Sequence, residues 1–483
     1  MNPGLRRLAA ACFAGLLVLA GVLTYHQAIA GRGYGEDVRN QRVIEERATR
    51  ARGQIVTADG VVVALSEEGP DGDFIRIYPE DGLYAHVVGY SGITFGDTGV
   101  EAVYADELRS GDDGSLGATL SSLLGVDQRP HQVQLSLRDD LQRVAEAALG
   151  DQRGAVVALD PATGAILAMV SHPGFDPNVL AAGDLEAGNA LADDPDQPLL
   201  NRAAAATYPP GSSFKVLVAV AALDAGMTAE TELPDLDELP LPNSTAVIRN
   251  ADEGFCSNGG TITLERALAV SCNTAFAQLG MDLGAAPLRR AVEAAGFNST
   301  IPFELSTVAS VLPPGEWQTD LAALAQTALG QRDLRATPLQ MALVAAAVAN
   351  DGLMMRPYLR AAILDADGNE TSLARAASWR RAMSPEIAAA LVPMMEQVVL
   401  NGTGWRAAVP GVRLAGKTGT AEVPGGAPHV WFIGFGPVDP EPGEPQIAIA
   451  VLVEDGGSLG EDGSGGSVAA PIAQRVLAAF FNS

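Results

Sequence analysis

Lysine is almost absent from this chain of 483 residues: 29 of its 31 basic residues are Arg, and the two lysines are Lys215 and Lys417. Loss of lysine elsewhere makes these two positions the first candidates for chemistry. Cysteine is scarce as well, with Cys12, Cys256 and Cys272 and no C-x-x-C pair. The five histidines are scattered and no H-E-x-x-H occurs, so the common zinc spacings are missing and no metal site is expected. Positive charge is in deficit, with 58 acidic residues against 31 basic and a net charge of -27. Such a chain repels nucleic-acid phosphates, and no nucleic-acid partner is expected. Aromatic residues make up only 5% and charged ones 18%, yet 47% are hydrophobic, which excludes a disordered composition. The length allows two or three domains at about 100 to 200 residues each.

What is present begins with Arg6 and Arg7, followed by sixteen uncharged residues from Leu8 to Leu23. That is short of the ~20 a spanning helix needs, although Thr24 and Tyr25 can extend it. Ala28-Ile29-Ala30 suits a signal-peptidase site, so cleavage is an alternative. Arg32, Arg39 and Arg42 balance the amino-terminal charges, and charge alone leaves the orientation open. A retained anchor with an extracytoplasmic body is the expectation. In an exported chain Cys256 and Cys272 can pair; two small buried thiols are the bland alternative.

Asp37 to Arg52 is polar and helix-compatible, and Gln54 to Leu65 reads as strand, Asp59-Gly60 turn, strand. Short apolar runs at Phe74 to Tyr78 and Ala85 to Tyr90 then alternate with Gly-rich turns, an α+β module that ends near the acidic turn Gly111 to Gly114 and the stretch Gly125 to His131. Beyond it Gly154 to Asp160 and Gly164 to Val170 form a hairpin. Helical stretches follow at 212 to 226, 263 to 283, 286 to 296, 319 to 329, 338 to 350 and 384 to 400. Strands return at Val412 to Ala415, Val430 to Phe435 and Gln446 to Glu454, before a last helix near Ser467 to Phe481. Strands, then helices, then strands that can rejoin the first hairpin predict an α+β domain with one antiparallel sheet.

Ser212 and Lys215 enter an apolar helix behind Pro209-Pro210-Gly211. Three residues apart, they share a helix face, so the amine can reach the hydroxyl. The helix N-terminus favours negative charge developing there. Phe214, Val216, Leu217 and Val218 crowd Lys215, and desolvation favours a neutral amine able to act as base toward Ser212. S-x-x-K is common by chance, and a serine cap beside a snorkelling lysine is the better reading if the motif stands alone. It does not. Ser271-Cys272-Asn273 lies 59 residues on and supplies a hydroxyl and an amide for proton relay and substrate holding. Lys417-Thr418-Gly419-Thr420 follows apolar Val412 and Leu414. Gly419 would admit a substrate backbone, and Lys417, Thr418 and Thr420 could hold a carboxylate. The ordered triple S-x-x-K, S-x-N, K-T-G uses both lysines and is specific where each part is weak.

On these motifs the chain resembles the class B penicillin-binding proteins, monofunctional peptidoglycan D,D-transpeptidases; its length, short tail and Cys256/Cys272 spacing are most similar to the actinobacterial penicillin-binding protein A type. The flanks Arg52-Gly53-Gln54-Ile55, Gly99-Val100-Glu101, Leu200 to Ala203, Gly330-Gln331, Thr337 to Ala342, Gly402-Thr403-Gly404 and Trp431-Phe432 are similar too. The resemblance implies an anchor and cytoplasmic tip at 1–30, a non-catalytic pedestal domain at 31–132 and a transpeptidase domain of the penicillin-recognising serine acyltransferase fold at 133–483. It implies a Ser212 acyl-enzyme formed at the penultimate D-Ala of a stem peptide, and an oxyanion hole from the N–H groups of Ser212 and Thr420. It also implies β-lactam inhibition, no cofactor, and partnership with a membrane glycan polymerase and division or elongation proteins. A Cys256–Cys272 disulfide bracing the second motif is expected.

Three rivals stand beside it. Gly411 to Thr418 fits the phosphate-loop pattern, and Ile447 to Val453 with Glu454 and Asp455 resembles a magnesium-binding strand. That loop requires a preceding strand and a helix starting at the lysine, whereas Pro410 precedes Gly411 and Pro424-Gly425-Gly426 follows closely. A D,D-carboxypeptidase or a β-lactamase-like hydrolase would share Ser212. However, no Glu between Asn273 and Lys417 has the E-x-x-x-N spacing of a class A deacylation loop. A catalytically silent β-lactam sensor is the third; no cytoplasmic signalling segment is recognised in the sequence.

Overall fold

The structure, a computed structural model, describes residues 3–25, 50–70, 72–109, 129–441 and 443–482. The expected helix before Arg50, the Ala28-Ile29-Ala30 site, Arg32, Arg39, Arg42 and the turn Gly111 to Gly114 lie outside the described residues. The apolar amino-terminal run forms a helix, Pro3–Thr24, of 22 residues with no buried side chain. At 1.5 Å per residue it reaches ~33 Å, enough to cross a bilayer core of ~30 Å.

The first globular module is built on a six-stranded sheet ordered Glu370–Leu373, Arg360–Leu364, Gln132–Leu135, Ile55–Val56, Val62–Glu68, Phe74–Ile77. Ala85–Val88 is a helical turn rather than another extended run, closed by Gly89 at φ +73°. Gln132–Leu135 pairs parallel with Ile55–Val56 and antiparallel with Arg360–Leu364. A boundary between 132 and 133 therefore falls inside a central strand. Two strands of this sheet come from beyond residue 359, so the two modules share one hydrogen-bonded ladder. Glu101 is fully buried; its carboxylate accepts from Arg76 Nε at 2.5 Å and Tyr78 Oη at 3.2 Å and forms an ion pair with Arg52 at 2.8 Å, while Arg52 Nη2 donates to the Glu101 main-chain carbonyl at 2.8 Å. The two flanking sequences around Arg52 and Glu101 thus meet through one carboxylate.

The second module contains a five-stranded, wholly antiparallel sheet ordered Ala415–Val423, Gly426–Gly436, Ile447–Val453, Gly154–Leu159, Ile166–His172. Its inner strands are continuous apolar runs because both faces are covered. One face packs on helices Asp139–Leu149 and Ala470–Asn482 through Leu141, Ala145, Val476 and Leu477. The other meets the helix Pro338–Ala349, apolar except for Gln340, and, with it, the helices Lys215–Asp224 and Pro385–Asn401. Helices Leu264–Ala269 and Asn273–Leu283 divide the expected 263 to 283 stretch at Ser271, which adopts φ +59°. The strand expected at Val412 to Ala415 instead begins at Ala415, because Gly411 turns the chain at φ +82°. Lys417 to Thr420 consequently lie within the edge strand, in register from Lys417 opposite Ile433 to Thr420 opposite Val430.

Candidate active site

The three sequence motifs converge where the edge strand Ala415–Val423 meets the start of helix Lys215–Asp224. Gly211 to Phe214 is a 3-10 turn, and the α-helix begins at Lys215, one turn later than the sequence suggests. Gly211 at φ +53° supplies the turn, and Ser213 Oγ donates to the Pro210 carbonyl at 2.7 Å. Trp431 Nε1 donates to the carbonyl of Pro209 at 2.9 Å, tying this turn to the sheet. Ser212 is thereby half-buried on a rigid platform.

Glycine makes the junction possible. A Cβ on Gly419 would stand 2.7 Å from the Pro210 oxygen and 3.0 Å from the Ser213 nitrogen, and one on Gly211 would stand 2.5 Å from the Thr420 oxygen. Gly419 is required because the strand itself lies against the turn that carries Ser212, a different reason from the substrate approach expected of it. The same contact brings the Ser212 turn against the strand that carries Thr420.

Lys215 is fully buried. Its Nζ donates to Ser271 O at 2.7 Å and Asn273 Oδ1 at 2.8 Å, and approaches Ser271 Oγ at 3.3 Å. No hydrogen bond joins it to Ser212 in this state; the second motif holds it instead. Burial, then the charge of Lys417, pushes Lys215 well below the ordinary lysine range. The Phe276 ring, 5.5 Å from Nζ, favours the ammonium, but burial opposes it and the net shift is downward. A neutral amine has two protons and one lone pair. The two carbonyl-type oxygens take the protons and leave the lone pair for a hydroxyl.

Lys417 is also fully buried, donates to the Thr418 carbonyl at 2.9 Å, and is pushed down by burial to about 7. Among the described residues no carboxylate pairs with either lysine. Thr418 Oγ1 lies 2.5 Å from Thr403 Oγ1, so the Gly402-Thr403-Gly404 flank orients the third motif. Thr420 Oγ1 accepts from Gly465 N at 3.3 Å.

Cys256 and Cys272 form a disulfide. Their sulfurs and an Asp235 oxygen cluster within 4.8 Å, but the sulfurs are bonded to each other and the carboxylate accepts from the N–H groups of Cys256, Ser257 and Gly259, which leaves no ligand set for a metal. The phosphate-loop reading fails on geometry. Lys417 sits mid-strand, so no helix begins at it, as that loop requires. Nor are Glu454 and Asp455 metal ligands: Glu454 accepts from Arg202 at 2.8 Å and Tyr208 at 2.7 Å, and Asp455 pairs with Arg153. Sequence reasoning missed Asn250, whose side chain reaches the second motif from a distant hairpin; no local pattern marks it.

A family model described as the penicillin binding protein transpeptidase domain matches residues 154–478, and one described as the penicillin binding protein A dimerisation domain matches 52–133. The chain is 41% identical to the peptidoglycan D,D-transpeptidase PbpA of Mycolicibacterium smegmatis and 39% identical to that of Mycobacterium tuberculosis, each over 99% of both chains. It is similar in structure to penicillin-binding protein A from M. tuberculosis in its ceftriaxone acyl-enzyme complex, with TM-score 0.82 and 38% identity, covering 90% of this chain and 99% of that one. The chain belongs to the penicillin-binding protein transpeptidase family.

Proposed function

We propose that the chain is a peptidoglycan D,D-transpeptidase acting through a Ser212 acyl-enzyme. The observation that carries this reading is the buried Lys215, its two N–H groups directed at Ser271 O and Asn273 Oδ1 and its lone pair left to accept a proton. Ser212 Oγ attacks the penultimate D-Ala carbonyl of a stem peptide and passes its proton to Lys215. The oxyanion that forms faces the N–H groups of Ser212 and Thr420. Collapse breaks the peptide bond, and the departing D-Ala amine takes the proton back through the Ser271 hydroxyl. An amine from a neighbouring strand then attacks the ester, giving its proton along the same path and restoring Ser212. Lys417, Thr418 and Thr420 hold the terminal carboxylate. Asn273 spends one Nδ2 proton on Arg249 O at 3.0 Å and keeps the other for a substrate carbonyl. Every group in this sequence belongs to the chain or its substrates.

The same placement accepts β-lactams, whose carboxylate and strained amide occupy the corresponding positions. The helix Pro3–Thr24 serves as a single-pass anchor with the body extracytoplasmic, a reading supported by its length and by a disulfide suited to an oxidising compartment. There the enzyme would act at the septum or during growth beside a membrane glycan polymerase and division or elongation proteins, as the family resemblance implies. The division into 1–30, 31–132 and 133–483 is the corresponding domain reading, with the shared strand Gln132–Leu135 as its seam.

Intact-mass analysis after benzylpenicillin exposure tests the nucleophile. Wild-type protein gains the drug's mass at Ser212, and Ser212→Ala does not. Ser212→Ala protein modified at another serine would overturn the assignment.

A further inference from the structure

The residue at the N-cap of helix Asn273–Leu283 is Cys272, which is committed to a disulfide and makes no side-chain cap bond. The cap comes from elsewhere. Asn250, just after the hairpin Glu238–Pro240/Val247–Arg249, directs Oδ1 at Asn273 N and Thr274 N, both at 3.1 Å, and at Thr274 Oγ1 at 3.2 Å. Its Nδ2 donates to Leu236 O and Gly254 O, both at 2.8 Å. Two N–H groups on one end and two carbonyls on the other leave a single orientation for this amide.

The neighbouring backbone completes the arrangement. Arg249 O accepts from Asn273 Nδ2, so Asn273 must turn Oδ1 toward Lys215. A flipped Asn273 would face Lys215 with a second donor and remove one of the two acceptors that direct the amine. Ser271, at φ +59°, is held between this helix start and the preceding helix with its carbonyl toward Lys215.

We infer that Asn250 is a positioning residue for acylation: it caps the helix of the second motif from a separate hairpin and thereby locks Asn273 and Ser271 as the acceptors that aim Lys215 at Ser212. This rests on the proposed role of Lys215 as base. Among the described residues the charged groups around this assembly are Lys417 on the edge strand, Arg249 and its partner Glu238 on the hairpin, and the buried Asp235 beside the disulfide. No carboxylate touches Lys215.

The test is the acylation rate at saturating benzylpenicillin as a function of pH, per folded molecule, for wild type, Asn250→Ala and Asn250→Asp. Asn250→Ala is expected to lose about tenfold or more in the rate. Asp keeps the capping oxygen but sets its second oxygen, in place of Nδ2, against Leu236 O and Gly254 O, so Asn250→Asp is expected to fold with reduced thermal stability. Its added negative charge favours protonated Lys215 and should move the rising limb of the rate profile upward by about one pH unit, with activity regained at alkaline pH. A purely structural role would change thermal stability and leave that limb in place. Asn250→Asp with an unshifted limb, or Asn250→Ala acylating at the wild-type rate, would overturn the inference. If Asn250→Ala does not fold, the Asp variant decides. Failure of the wild-type protein to acylate at Ser212 would defeat the functional proposal instead, whatever Asn250 does.

Discussion

Gly419 lies against Pro210 so closely that an added Cβ would stand 2.7 Å from the Pro210 carbonyl oxygen. The strand of the third motif and the turn of the first are therefore set at one separation by backbone meeting backbone, and no flexible side chain can yield to relieve a clash.

Gly419→Ala should for that reason slow β-lactam acylation by about tenfold or more while costing only ~1–3 kcal/mol of stability, the usual range for overpacking. The strand must move away from Ser212, and the Ser212 and Thr420 amides with it. Acylation kinetics and thermal melting check this together; wild-type rates in the variant would show that the spacing is not critical.

The two lysines should respond differently to the same substitution. Lys215→Arg should abolish acylation, since guanidinium stays protonated and cannot act as base. Lys417→Arg should chiefly weaken capture of the drug, because a cation is what a carboxylate requires there. Separate measurement of affinity and acylation rate distinguishes the roles. Small, equal losses would contradict them.

Capture should also depend on pH. Lys417 is pushed down to about 7 by burial, and a bound carboxylate favours its charged form. Affinity of Ser212→Ala protein for benzylpenicillin should be level below that value and fall by about tenfold per pH unit as pH rises above it, until the pKa of the complex is reached. A flat profile between about pH 6 and 9 would mean that Lys417 stays charged without ligand.

Reduction of Cys256–Cys272, separated by 16 residues, should cost ~3 kcal/mol in the chain-entropy model and slow acylation, because Cys272 stands between Ser271 and Asn273. Denaturation and acylation of a Cys256→Ser/Cys272→Ser variant measure both effects. Stability and rate unchanged from wild type would refute the bracing role.

Deacylation distinguishes a transpeptidase from a hydrolase. Neither lysine has a carboxylate partner among the described residues, and no Glu between Asn273 and Lys417 carries the spacing of a deacylation loop. The acyl-enzyme should persist for many minutes, with β-lactams as inhibitors. Steady nitrocefin turnover of several per second, lost in Ser212→Ala, would favour a hydrolase.

The chemistry was legible in the sequence because it depends on residue types that stand out: two lysines in a chain nearly devoid of them, each inside a short motif, with Ser271-Cys272-Asn273 between. The antiparallel sheet was legible too, since its central strands are uninterrupted apolar runs, and so were most of the helices. Other features depended on residues far apart in the chain. Lys215 turns to Ser271 and Asn273 rather than Ser212 because those acceptors come from another helix, and Asn250 becomes a cap only when its hairpin folds across that helix. The six-stranded sheet takes Arg360–Leu364 and Glu370–Leu373 from late in the chain, which no local periodicity can announce. Gly419 was visible as a glycine, but the Pro210 carbonyl it must clear lies 209 residues away in sequence. Local pattern determines which residues can react and which segments are helix or strand; the orientation of a hydrogen bond and the gap between two backbones exist only once distant segments pack.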